Sequence, residues 1–469
     1  MDKKSLHFEN YKSLLRGIEG ILEVVLMACA YYFIWRNGYT DGLFPAYLER
    51  GKYVLTGVYG MLCFLLLFGF DGFSFGYLRL SDVLTSQGIA FFLADFITYW
   101  QLCLVANQVI SPGPMLVLFL ANLVIAFVCA YFYSMIYHRL YVPKNMAMVF
   151  GNDDAVTLKF KMDTRSDKYR INKLISVDEG LENICNEIQN YDAVVINDIP
   201  AQTRNDILKF CYAHGIRTYV APKLSDIIIR GGKNINLFDT PLLLIKGRGP
   251  TAPQRALKRF FDVVVCGIAM IPAAPIMALV ALAIKIEDGG PVLYRQKRQT
   301  LNGKVFEILK FRSMIVDAEK AGVSIPATER DPRITKVGRF IRATRLDELP
   351  QLINILKGDM SIVGPRPERI EHMEKYRSEI PEFDYRLKVK GGLTGYAQIY
   401  GKYNTSPYDK LRLDLMYIEN CSFLLDIKLI LMTLRIILKK ESTEGFDKAE
   451  ELEQKKEETL QALKEEKEK

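Results

Sequence analysis

KRFFDVVVCGIAMIPAAPIMALVALAIK, residues 258–285, is an apolar run with basic residues at both ends and two prolines near its middle. It is long enough to cross a bilayer, which requires about 20 apolar residues. Pro272 and Pro275 each remove a backbone hydrogen bond and bend a helix where they sit. Arg255, Lys258 and Arg259 precede the run, and Lys285 and Arg295 follow it. Positive charge on both flanks places both on one side of the membrane. A plain span would put the following basic region on the other side. The expected element is therefore a re-entrant helix over 262–285 that enters, turns at the prolines and leaves by the same face.

Upstream, four more apolar segments cover 17–35, 53–70, 83–105 and 115–137. Lys3, Lys4, Lys12 and Arg16 precede the first, Arg139 and Lys144 follow the last, and the loop 107–114 carries no charge. Both ends of this bundle are assigned to the cytoplasm, against the weaker opposing signal of Arg36, Arg50 and Lys52. Glu23 and Asp95 fall inside spans. With no basic partner in reach, they are read as polar helix contacts.

Residues 145–246 alternate apolar strands with helices. Strands are predicted at 146–150, 192–197, 217–221 and 242–245, with helices at 180–191 and 202–214, giving a parallel, Rossmann-like layer. Its first turn, Gly151-Asn152-Asp153-Asp154, has one glycine where a dinucleotide fingerprint needs three. The two acids would repel a pyrophosphate, so a structural or regulatory role is expected. A linker at 247–255 joins this layer to residues 256–440, and a charged tail fills 441–469. Residues 423–438 read as an interfacial helix with Lys428 and Arg435 on its polar side.

The net charge of +8 is concentrated: residues 285–345 hold 14 Lys/Arg against 7 Asp/Glu. Such an excess suits anionic headgroups or a phosphorylated substrate; nothing in the chain reads as a nucleic-acid module. Eight cysteines without a CxxC pair and four scattered histidines exclude a zinc or disulfide framework. No cleavable signal peptide is evident.

In RATRLDELPQLINILKGDMSIVGPRPE, residues 342–368, an acid pair stands where a helix is expected to start. Pro350 is tolerated in a first turn. Leu349, Leu352, Ile353 and Leu356 have amphipathic spacing, and Lys357-Gly358 closes the helix. Asp347 is either an N-cap or a functional anion at the positive end of a helix dipole, where phosphate and metal also gather.

Six motifs in fixed order, KRFFD (258–262), GPVLYRQKR (290–298), KFRSM (310–314), LDELPQ (346–351), SIVGPRPE (361–368) and GLTGYAQ (392–398), resemble the bacterial sugar transferases. These are also called polyprenyl-phosphate hexose-1-phosphate transferases, or monotopic phosphoglycosyl transferases. The likeness covers about 256–440, and the preceding bundle and α/β layer resemble the family's long form. The implied architecture is a four-span helical bundle, a Rossmann-like α/β domain and an α-rich monotopic catalytic domain with a re-entrant helix. Ala274 stands before Pro275 where the family often has serine, and Pro272 is extra; both affect only the kink.

The resemblance implies transfer of a sugar-1-phosphate from a UDP-sugar donor to undecaprenyl phosphate in the bacterial cytoplasmic membrane, releasing UMP and starting a surface glycan. Asp347 would be the nucleophile and Glu348 a ligand of Mg²⁺. A carboxylate is already ionised at neutral pH and needs no activating base, but a cation must relieve anion–anion repulsion. Lys310, Arg312, Arg342 and Arg345 are the candidates for substrate phosphate. Pro365-Arg366-Pro367 presents a rigid arginine to the nucleotide. Lys258, Arg259 and Pro275 belong to the membrane and lipid-phosphate region. Membrane lipids are partners, and self-association into a homo-oligomer is left open. The rival readings are a metal-dependent phosphatase or pyrophosphatase on lipid-linked phosphates, and an inactive membrane scaffold.

Overall fold

The computed structural model describes residues 11–39, 50–141, 143–152, 154–247, 249–316, 331–401 and 405–437. Lys3, Lys4, Asp153, Leu438 and the tail from 441 lie outside the described residues. The chain forms two compact units that divide between Ala221 and Pro222.

The first unit opens with four apolar helices, α1 (Lys12–Gly38), α2 (Lys52–Gly69), α3 (Leu80–Ala106) and α4 (Gly113–Leu140), each long and apolar enough to cross a membrane. They pack in sequence, and α1 also packs on α4. Large apolar side chains such as Leu22, Phe33, Phe92 and Val124 remain exposed on the outside. Polar groups face inward. Tyr59 donates to Asp95 Oδ1 at 2.8 Å and accepts from Asn122 at 2.6 Å, while Gln87 donates to Glu23 Oε2 at 3.1 Å. Both acids are thus the polar helix contacts expected of them.

The α/β layer follows: β1 (Lys144–Phe150), α5 (Asp154–Asp163), β2 (Tyr169–Ser176), α6 (Leu181–Ile188), β3 (Ala193–Asn197), α7 (Ala201–Ala213) and β4 (Arg217–Val220). The order is β2-β1-β3-β4, parallel throughout. β1 and β3 are apolar runs because both sheet faces are covered. β2, YRINKLIS, is an edge strand whose exposed Arg170, Asn172 and Lys173 hide it from a hydropathy reading. The Gly151 turn approaches the backbone after β3 closely: a Cβ there would lie 2.4 Å from the Asp198 carbonyl. Asn152 donates to Asp198 Oδ2 at 2.5 Å, so the turn is tied to its own sheet.

One predicted strand is reassigned. The second unit starts with α8 (Leu224–Arg230) and the antiparallel hairpin β5 (Lys233–Leu237) and β6 (Thr240–Leu244). The 242–245 segment therefore belongs to an exposed hairpin, outside the parallel sheet. Its leucines are not buried, and the local turn at Phe238-Asp239 pairs it with its neighbour in sequence.

Helix α9 (Ala252–Asp288) runs 37 residues and stays helical through Pro272 and Pro275. Asp262, Cys266, Ala273, Val280 and Ile284, spaced at three- and four-residue multiples, form its buried face. Phe260, Ile268, Ile271, Leu279 and Ile286 form an exposed apolar face. Both halves rest on the same unit. Arg259 donates to the Ile355 and Leu356 carbonyls at 2.5 and 2.7 Å, and Ile284 packs with Phe311 and Ile341.

The remaining elements are β7 (Leu293–Gln299) antiparallel to β8 (Val305–Phe311), α10 (Lys336–Ala343), a 3₁₀ turn (Leu346–Glu348), α11 (Gln351–Lys357), β9 (Ser361–Val363) and α12 (Ile370–Glu379). A second 3₁₀ segment (Pro381–Lys388), β10 (Gly392–Thr394), α13 (Tyr396–Tyr400), α14 (Pro407–Glu419) and α15 (Phe423–Ile437) follow. In α15 the buried residues are Asp426, Leu429, Met432 and Arg435, so Arg435 lies on the packed side and not on an exposed polar one.

Candidate active site

Asp347 and Glu348 sit in the 3₁₀ turn between α10 and α11. Arg345 enters the turn at φ 57°, and α11 starts only at Gln351, after Pro350. Asp347 therefore caps nothing. α11 is fastened to the β-hairpin by Asn354, whose Oδ1 accepts from Leu309 N at 2.9 Å and whose amide donates to the Glu307 carbonyl at 2.8 Å. Gly358, at φ 94°, ends the helix as its sequence position requires.

The two acids differ in their company. Glu348 Oε1 accepts from Lys310 Nζ at 3.0 Å and from Arg366 Nη2 at 2.7 Å. Burial alone would raise its pKa, yet Arg366 and Lys310 together hold it far below the carboxylate range. Asp347 is 9% exposed, and no described residue donates a hydrogen bond to its carboxylate. Burial pushes its pKa up, Lys310 pulls it back, and the neighbouring Glu348 raises it again. Arg342 and Arg345 add weaker positive fields.

Arg366 is held by its backbone. β9 and β10 pair in parallel, and Gly364 and Gly392 cross so closely that a Cβ on Gly392 would lie 2.1 Å from Gly364 N. Arg386 donates to the Arg366 carbonyl at 3.0 Å and Arg298 to the Pro367 carbonyl at 3.0 Å. Arg386 in turn pairs with buried Asp414 at 2.8 Å, while Glu368 lies 3.6 Å from both Arg386 and Lys410. Burial raises Asp414 to about 6 despite that arginine. Arg298, Glu368, Arg386 and Asp414 were given no role by sequence reasoning. Two of them lie within the quoted motifs, but their partners are far away in the chain.

Of the residues expected at substrate phosphate, Lys310 reaches the acid pair, as does Arg366, expected at the nucleotide, while Arg342 and Arg345 flank it. Arg312 does not join them. It lies just past β8 and forms a two-pronged pair with Asp288, with further bonds to the Pro291 and Met314 carbonyls. Lys258 is likewise taken, by Asp426 Oδ2 at 2.6 Å and Tyr417 Oη at 3.1 Å. Arg259 caps the end of α11. These three cations are placed inside the unit as internal ties, whereas Pro275 lies on the exposed face of α9.

No group of three metal-ligating side chains exists among the described residues. Two adjacent carboxylates are nonetheless a suitable partial donor set for Mg²⁺, which typically takes one or two carboxylates and completes its shell with phosphate oxygens and water.

The bacterial sugar transferase model matches residues 253–440. A UDP-glucose:undecaprenyl-phosphate glucose-1-phosphate transferase of Caulobacter vibrioides is 41% identical over 208 residues, 42% of this chain and 77% of that protein. This chain belongs to the bacterial sugar transferase family. An Escherichia coli (strain K12) protein of the same description is 44% identical over 204 residues, 42% of each chain. The UDP-N-acetylgalactosamine-undecaprenyl-phosphate N-acetylgalactosaminephosphotransferase of Aeromonas hydrophila is 35% identical over 255 residues, 53% of this chain and 59% of that one. The chain thus spans about half the length of several curated relatives it matches. The family match begins one residue into α9 and ends past α15, so it contains every residue of the acid-pair cluster.

Proposed function

We propose that this sugar transferase moves a sugar-1-phosphate from a UDP-sugar to undecaprenyl phosphate in two displacements. Asp347 attacks the phosphorus bonded to the sugar; the P–O bond to UMP breaks and UMP leaves. An oxygen of the lipid phosphate then attacks the same phosphorus, the aspartyl bond breaks, and the sugar is left on a lipid-linked diphosphate. No proton transfer is required, because all attacking and leaving oxygens are anionic. The product starts a surface glycan.

The observation that carries this reading is the asymmetry of the acid pair. Glu348 is neutralised by Lys310 and Arg366, while Asp347 beside it takes no hydrogen bond from any described residue and so keeps its lone pairs for attack. Burial that raises its pKa also makes it a stronger nucleophile than a solvated carboxylate. Arg366, held by Arg386 through its carbonyl, is suited to a donor phosphate. Mg²⁺, when bound, would neutralise phosphate charge, with Glu348 its protein ligand and substrate oxygens the others.

The exposed apolar face of α9 supports a helix that sits in one leaflet and returns to the cytoplasmic side, with the bundle anchoring the same chain. Asp347 would then meet the lipid phosphate at the interface. The test is Asp347→Asn in membranes given UDP-sugars and undecaprenyl phosphate, with UMP release as the readout: turnover is expected to vanish while the protein stays folded. The names of the relatives include glucose and N-acetylgalactosamine transferases, so the donor panel spans both classes.

A further inference from the structure

A cavity of about 370 Å³ opens in the first unit, far in sequence from Asp347, between the start of α3, the last turns of α4 and the loop after α5. Its volume lies in the range of small-ligand sites, roughly 300–1,000 Å³. One wall is apolar: Phe75, Leu80, Val83 and Tyr133. The other is polar: Arg79, Arg165, Asp167, Ser134, His138 and Thr164. Arg165 is satisfied internally, by the Tyr77 carbonyl at 2.6 Å and both oxygens of Asp167 at 2.8 Å. Arg79 makes one long bond, 3.4 Å to the Thr164 carbonyl, and is exposed.

The surroundings of this wall are strongly positive. Arg16 and Lys168 both lie over the Tyr77 ring, at 4.6 and 4.7 Å, and Lys12 lies over Tyr137 at 4.7 Å. Lys12, Arg16, Arg79, Arg165 and Lys168 therefore gather around Tyr77, Tyr137 and the single carboxylate lining the cavity among the described residues, Asp167. Burial, followed by the fields of Arg165 and Lys12, lowers Lys168 to about 8, as expected where positive charge exceeds its local counter-charge. An apolar wall continuous with the membrane helices, next to a rim of excess positive charge, matches an amphiphile with an anionic head.

We propose that this cavity binds a phosphate-bearing lipid, with its phosphate at the Arg79 rim in the field of Arg16 and Lys168 and its first chain carbons against Phe75, Leu80, Val83 and Tyr133. The site is independent of the chemistry at Asp347. An isoprenyl phosphate and a bulk anionic phospholipid share this head chemistry.

The full chain is placed in phosphatidylcholine nanodiscs carrying a C55 isoprenyl phosphate, phosphatidylglycerol, or no anionic lipid with inorganic phosphate in the buffer. Retained lipid is counted by native mass spectrometry. The catalytic unit is expected to hold acceptor lipid as well, so the site is scored as the loss of one bound equivalent. Arg79→Gln/Lys168→Gln removes the rim charge at Arg79 and the neighbouring charge over Tyr77, and Ser134→Trp fills the cavity from α4 without removing either. Each is expected to weaken that equivalent at least about tenfold, the scale of lost charge-assisted bonds, and to leave UMP release from UDP-sugar unchanged. Loss in the isoprenyl arm alone identifies the isoprenyl lipid, and loss in both lipid arms identifies a general phospholipid site; either supports the proposal. Retention unaffected by both variants overturns it, as does occupancy by inorganic phosphate with no lipid retained.

Discussion

Lys258→Met distinguishes an internal tie from a lipid contact. Lys258 Nζ lies 2.6 Å from Asp426 Oδ2, with side chains 15% and 5% exposed, and joins α9 to α15. Tyr417 donates to Asp426 Oδ1 at 2.8 Å, so removing the lysine leaves a buried carboxylate with one neutral donor. Stranding a buried charge in this way costs about 3–5 kcal/mol. In a unit of this size each kcal/mol shifts Tm by about 2–4 °C, so a fall of roughly 6–20 °C is expected. Replacing both partners, Lys258→Met with Asp426→Leu, removes the stranded charge and should restore stability to within about 1–2 kcal/mol, giving a coupling energy of at least ~2 kcal/mol. Thermal unfolding in detergent, followed by a thiol-reactive dye on buried cysteines such as Cys266, reads all four proteins of the cycle. If Lys258→Met leaves Tm unchanged and instead raises KM for the lipid acceptor, the internal-tie reasoning is wrong and the lysine serves the headgroup.

Asp347 must be ionised to attack and its pKa is raised, so the acid limb of kcat/KM should lie above the ordinary aspartate value, with activity lost as pH falls through it. Lys310→Met removes the cation that chiefly lowers this pKa and should move the limb up, whereas Glu348→Gln removes a neighbouring anion and should move it down; shifts of the opposite sign would contradict the assigned electrostatics. Asn354→Ala, at a position 2% exposed, leaves Leu309 N without its partner and should cost about 2–3 kcal/mol, measured as a drop in Tm, with little change in the pH profile.

Hydropathy made the bundle legible because each helix is apolar over a bilayer's length. The strands β1 and β3 were legible because they are buried on both faces. The edge strand β2 was not, since its polar alternation reads as surface. The 242–245 segment has strand composition, but which strand it pairs with depends on the turn before it. The acid pair and its proline-flanked arginine stood out in the sequence as local clusters, and Lys310 and Arg366 do converge on Glu348. The fates of Lys258 and Arg259 were hidden because their partners lie 168 and 96–97 residues away. Arg312, a phosphate candidate two residues after Lys310, lies beyond β8, which ends at Phe311, and Asp288 takes its guanidinium. Arg386 escaped notice for the same reason: its value lies in contacts with Arg366 and Asp414, neither of them near it in sequence.

The central claim is that Asp347 forms a covalent phospho-sugar. Purified protein mixed with UDP-sugar in the absence of lipid acceptor should release a burst of about one UMP per protein and then stop, the mark of an intermediate that cannot turn over. The phospho-sugar should be found on the peptide containing Asp347 and be absent from Asp347→Asn. A steady release of UMP without a burst, or transfer persisting in Asp347→Asn, would contradict the account.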